Sequence, residues 1–130
     1  MKKLFAGFLV VMMLYLSFGS AMASTNFSWS GDGSGDPKRW GDSQASSGNN
    51  WHITWGSNTT ISSSKRAVVR IYAEPSPGTY ASSLYIYNTK STAYHPYNSG
   101  FGNGLKDTYI AGRMDNRDSG TLVVEGTFYN

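Results

Sequence analysis

The chain has 130 residues, of which 39% are hydrophobic, 15% aromatic and 15% charged, with fifteen Gly, no Cys and a formal net charge of +3. That length accommodates one domain and hardly two. Sparse charge among Gly, Ser, Thr and Asn argues against coiled coils and long solvent-exposed helices, and the missing Cys excludes disulfide scaffolds, thiolate zinc sites and cysteine nucleophiles.

Met1-Lys2-Lys3 forms a short positive segment, and Leu4 to Phe18 is an apolar run broken only by Gly7 and Ser17. Ala21-Met22-Ala23 then matches the small-residue pattern that signal peptidase reads. The expectation is a secretory signal peptide over residues 1–23 and a secreted domain over 24–130. An apolar run of about fifteen residues falls short of the ~20 that a spanning helix needs, so no membrane span is expected after cleavage. Lys2 and Lys3 leave with the signal, so nine basic residues then face eight acidic ones and the net charge falls to +1. Lys38-Arg39, Lys65-Arg66 and the Arg113 to Arg117 stretch read as scattered groups with Asp beside them. Nucleic acid is therefore not an expected partner.

In the secreted part the hydrophobic period is two wherever it can be read. Asn26 to Ser30 alternates, with Phe27 and Trp29 on one face. Gly31 to Asn50 reads as a long loop carrying Trp40 alone. Trp51 to Trp55 places Trp51, Ile53 and Trp55 together, and Gly56 to Ser63 is a polar connection. Arg66 to Ala73 is the clearest strand, with Ala67, Val69, Ile71 and Ala73 on one side and Arg66, Val68, Arg70 and Tyr72 on the other. Pro75-Ser76-Pro77-Gly78 ends it. Ser83 to Asn88 sets Leu84 and Ile86 against Tyr85 and Tyr87. A second loop, Thr89 to Lys106, precedes two last strands, Thr108 to Met114 and Thr121 to Tyr129, joined by Asp115 to Gly120. These elements predict an all-β fold, a small antiparallel β-sandwich of about six to eight strands.

Catalytic patterns are weak. Glu74 and Glu125 are the only glutamates, and nothing in their spacing marks a glycosidase pair. His52 and His95 offer two nitrogens and no third ligand, too few for zinc. No enzyme and no cofactor are expected. Asp32, Ser34 and Asp36 place oxygens on alternate residues of a Gly-rich loop, as calcium requires, but Pro37 and Ser43 occupy the places of the Gly and Glu of an EF-hand. A surface turn is the preferred reading there, and equally for Asp115, Asn116 and Asp118.

Aromatic content is the unusual feature: fifteen Trp, Tyr and Phe residues remain after residue 23. Tyr72, Tyr85, Tyr87 and Tyr129 lie opposite the apolar faces of their strands and suggest an outward tyrosine row. Flat rings with a polar tip stack on sugars, so Trp40, Tyr72, Tyr85 and Tyr87 form a candidate ligand-binding face. Cross-strand tyrosine pairs that merely stabilise a sheet are the competing reading.

Lys106-Asp107-Thr108, Ala111-Gly112 and the aromatic ending Phe128-Tyr129-Asn130 resemble the end of lactococcin 972-type bacteriocins. Trp29-Ser30-Gly31-Asp32-Gly33 is similar to the Trp- and Gly-containing start of those proteins. The layout also resembles small secreted proteins of Gram-positive bacteria with no assigned function. The middle, Ala67 to Asn88, has no counterpart in the bacteriocin pattern. The resemblance implies a Cys-free secreted β-sandwich that interferes with cell-wall synthesis by binding a lipid-linked wall precursor. The expected function is thus a non-enzymatic secreted protein acting at the cell envelope. A glycan- or cell-wall-binding module and a matrix protein that oligomerises through strand edges are the alternatives.

Overall fold

The computed structural model describes residues 23–75 and 78–130; the expected signal peptide, apart from Ala23, and Ser76-Pro77 lie outside the described residues. Nine strands form two antiparallel sheets, with no helix among the described residues. The first sheet runs β1 (Ser24–Gly31), β9 (Leu122–Tyr129), β4 (Asn50–Trp55), β7 (His95–Pro96). The second runs β2 (Lys38–Arg39), β8 (Asp107–Met114), β5 (Ala67–Ala73), β6 (Tyr85–Tyr87), and β3 (Gln44–Ala45) pairs with β8 beside β2. This is the small β-sandwich that the alternation implies. The six longer strands coincide with the six alternating segments. The other three, β2, β3 and β7, are two-residue ladders inside the two long loops, too short to show a period.

Alternation decides what each strand buries. Ala67, Val69, Ile71 and Ala73 of β5 are at most 3% exposed, and across the sandwich Leu122, Val124 and Phe128 of β9 are at most 1% exposed. Trp51 and Ile53 of β4 are fully buried. Each such large side chain contributes about 1.5–3 kcal/mol when removed from water. Gly126 faces inward between Phe27 and Trp55, its register partners on either side. A Cβ there would lie 2.2 Å from the Thr54 carbonyl oxygen and 3.2 Å from the Phe27 ring. Its absence lets those two rings meet edge to face at 5.9 Å.

Two expectations are corrected here. Trp40 is not an outward residue: it is 4% exposed, stacked between Phe27 at 5.6 Å and Trp29 at 5.8 Å. The long loop folds its one large ring over the end of the core because leaving an indole in water would forfeit that burial. In β6 the faces are reversed. Tyr87 is 5% exposed and Tyr85 half-buried, whereas Leu84 and Ile86 are 43% and 49% exposed. Register explains this, since Tyr87 and Tyr85 pair with the inward Ala67 and Val69. The small Ala67 leaves space at the sheet edge, which the tyrosines fill by packing on Trp55 at 5.1 Å and Trp51 at 5.4 Å.

The β8–β9 connection is tied down by charge. Asp118 accepts bonds from the Arg66 side chain at 2.7 and 3.0 Å and from the Arg66 backbone N–H at 2.7 Å. Asp115 accepts from Arg117 at 2.6 and 3.0 Å. These bonds hold both carboxyls below the usual carboxylate range, the charged hydrogen bonds from Arg117 and Arg66 being the leading causes.

Candidate functional site

Three chain segments lie side by side on the outer face of the second sheet. Tyr72 of β5 is directly opposite Tyr109 of β8, and on its other side it bridges to Tyr80, just after the turn. Directly opposed residues share a face, so the register alone gathers three tyrosines from distant positions into one row. Tyr72 and Tyr109 stack with ring centroids 5.6 Å apart at 17°, and Tyr72 meets Tyr80 edge to face at 5.5 Å. Tyr109 forms the floor at 8% exposure, while Tyr80 is 49% exposed. Asp36 and Pro37, from the loop after β1, and Gly78 complete a recess of about 430 Å³ around them. Burial pushes the Tyr72 and Tyr109 phenols up, so both stay neutral hydroxyls that donate and accept hydrogen bonds.

Arginines border the row. The Arg39 guanidinium lies 4.4 Å above the Tyr109 ring and pairs with Glu74, and that of Arg70 lies 4.0 Å above the Tyr80 ring. Such cation–π contacts hold both rings at a fixed tilt.

Of the four residues expected to make an aromatic face, only Tyr72 belongs to this row. Trp40 and Tyr87 are core, and Tyr85 packs inward on Trp51 and on His95 at 3.8 Å. Tyr129 lies on the opposite side of the sandwich, stacked on His52 at 4.6 Å. Tyr80, Tyr109, Arg39 and Arg70 were absent from the expected face. Alternation in β5 marks Arg70 and Tyr72 as outward together, but Tyr109 and Arg39 join them only through strand pairing, which periodicity does not contain.

The oxygen ligands considered for calcium do not converge. Asp32 accepts a bond from the Ser34 backbone N–H at 2.9 Å and another from its hydroxyl, while Asp36 lines the tyrosine recess. No group of three His, Asp or Glu that could hold a metal ion occurs among the described residues. His52 and His95 point to opposite sides of the first sheet, His52 outward onto Tyr129 and His95 inward onto Trp51 at 4.9 Å. Glu74 lies in the bend after β5 of the second sheet and Glu125 on β9 of the first, where it accepts a bond from the Asn58 backbone N–H at 3.0 Å.

A larger notch of about 620 Å³ runs beside β1, but its rings, Phe27 and Trp40, are 5% and 4% exposed and offer no free aromatic face. The tyrosine recess is the site where ring faces, hydroxyls and cations coincide. No protein-family model, curated protein or solved structure matches the chain.

Proposed function

We propose that the protein is a non-catalytic saccharide-binding module acting at the cell envelope, with Tyr72, Tyr80 and Tyr109 as its contact face. The observation that carries this reading is the cross-strand tyrosine row in a recess of ligand size, about 430 Å³. Pyranose rings present patches of C–H that stack on aromatic faces, while their hydroxyls need hydrogen-bond partners at the rim. Tyrosine supplies both, and Asp36 adds an acceptor. Binding without turnover is favoured because Glu74, at the border of the row, is paired with Arg39, and Glu125, on the other sheet, accepts a bond from Asn58.

The test is retention of the secreted protein on purified Gram-positive cell walls. Binding should be strong for the native protein and should fall about tenfold or more when Tyr72 and Tyr80 become Ala, since stacking contacts of this kind are worth about 0.5–1.5 kcal/mol each beyond area burial. Circular dichroism must show both proteins folded. Equal retention of the folded double variant, or no retention of the native protein, would overturn the reading. Growth inhibition of the same bacteria at binding concentrations would shift weight to the bacteriocin-like action that the resemblance implies.

A further inference from the structure

We infer that the saccharide bound on this face carries an anionic group, a carboxylate or a phosphodiester, and that Arg70 is the residue that receives it. The inference rests on the tyrosine-row reading and adds the ligand's charge to it. Arg70 and Arg39 both lie directly opposite Ala111, so one row across β5, β8 and β2 reads Arg70, Ala111, Arg39, next to the tyrosine row. Ala111 is too short to separate the two arms and is only 2% exposed beneath them.

The two arginines are not equivalent. Arg39 is occupied: its Nε donates to the Gly41 carbonyl at 2.8 Å and its guanidinium pairs with Glu74. Arg70 pairs with no carboxylate among the described residues, and its Nε is buried with no acceptor. A guanidinium N–H removed from water without a partner is costly, so Arg70 is the arginine of this row whose hydrogen-bonding capacity is unspent. Held by its contact with Tyr80, the planar fork is preorganised for an oxyanion, which it can bind through two parallel hydrogen bonds. Arg113 follows on the same face, opposite Val68 and two residues beyond Ala111. Three cations therefore share a face whose carboxylates are Glu74, already paired, Asp107 at the start of β8, and Asp36 at the far lip. The formal net charge of +3 does not reveal this clustering. Asp36 repels an anion from its own end of the recess, so the charged substituent points toward Arg70 and the hydroxyls toward Asp36.

Calorimetric titration with three probes tests this: an oligogalacturonate, a poly(glycerol phosphate) and a neutral cello-oligosaccharide. At least one anionic probe should bind about tenfold or more tightly than the neutral one, as a charge-assisted contact implies. The two charged probes then tell carboxylate from phosphate. The preference should shrink between about 0.1 and about 1 M salt, as the Debye length falls from about 10 to about 3 Å. The ratio of anionic to neutral affinity should collapse to about one in Arg70→Gln, whatever that variant does to neutral binding through the Tyr80 ring it supports, and survive in part in Arg70→Lys, which keeps the charge and guards against misfolding as the cause. Equal affinities, or a preference unchanged in Arg70→Gln, would overturn the inference and leave the saccharide reading standing. No binding to any probe would overturn both.

Discussion

Gly112 lies beneath the Trp40 indole, so close that a Cβ on it would sit 2.5 Å from the ring's Cζ2 and 2.5 Å from the Val68 carbonyl oxygen. The pairing explains how a two-residue strand and a loop can seal the sandwich. β2 pairs with Gly112 and Ala111, and the chain then drops the Trp40 side chain inward against the bare backbone, while the Trp40 backbone N–H donates to the Ile110 carbonyl at 3.0 Å.

Gly112→Ala should therefore destabilise the fold by about 1–3 kcal/mol, as overpacking does, because one colliding atom is backbone and cannot swing aside. In a domain of about this size each kcal/mol lowers the melting temperature by about 4–8 °C. Thermal unfolding followed by near-ultraviolet circular dichroism measures it, and an unchanged melting temperature would show that the indole is not seated there.

Tyr72 and Tyr87 should respond in opposite ways. The Tyr87 hydroxyl is buried with no partner, and burial pushes its phenol well above the usual range. Tyr87→Phe removes an unsatisfied polar atom and should leave stability equal or higher by up to about 1 kcal/mol, with wall binding unchanged. Tyr72→Ala should spare the core and weaken binding. Parallel denaturant titrations and wall-retention assays separate the two; loss of binding in Tyr87→Phe would return that residue to the site.

Stability should fall in two limbs as the solution is acidified. Burial lowers the pKa of both His95 and His52 from the ordinary 6.5. Below about 6.5 the unfolded chain takes up these protons before the folded one does, so stability declines there, and it is unaffected well above that pH. Asp115 and Asp118 act lower down. Their folded pKa values are depressed, so their contribution is complete above the ordinary carboxylate range near 4 and is lost as pH falls through the depressed values. Urea midpoints measured across pH should show both limbs. His95→Phe should flatten the upper limb and Asp118→Asn the lower, each leaving the other in place.

Strand content was legible because alternation is a property of single segments. The outward placement of Tyr72 and the inward placement of Phe27, Trp51, Ile53, Val124 and Phe128 follow from it directly. Which alternating set faces the core is a separate matter, and in β6 the larger tyrosines took the inside although Leu84 and Ile86 are the more hydrophobic by type. Volume decided there: Ala67 leaves a gap that an aromatic ring fills better than a branched aliphatic chain. The tyrosine row with its bordering arginines was legible only by half for a related reason. Tyr109, Tyr80 and Arg39 reach Tyr72 through register between segments separated by loops, and composition within a window carries no register.

Glu74 offers the last test of the face's electrostatics. Its carboxylate binds Arg39 and raises the phenol of neighbouring Tyr109, after burial the next largest cause. Glu74→Gln removes that charge while keeping the shape and a hydrogen-bond acceptor, which leaves Arg39 free to act beside Arg70 across Ala111. Affinity for the anionic saccharide should rise about twofold to fivefold, in line with the value of one partly exposed charge pair, and the gain should be largest at low salt. The fold should be little affected, since Arg39 is 43% exposed at its side chain and its Nε remains bonded to Gly41. Calorimetry on the variant checks this. A lower affinity would instead mean that Glu74 holds Arg39 in a pose the ligand uses, and that the pair acts as one recognition unit.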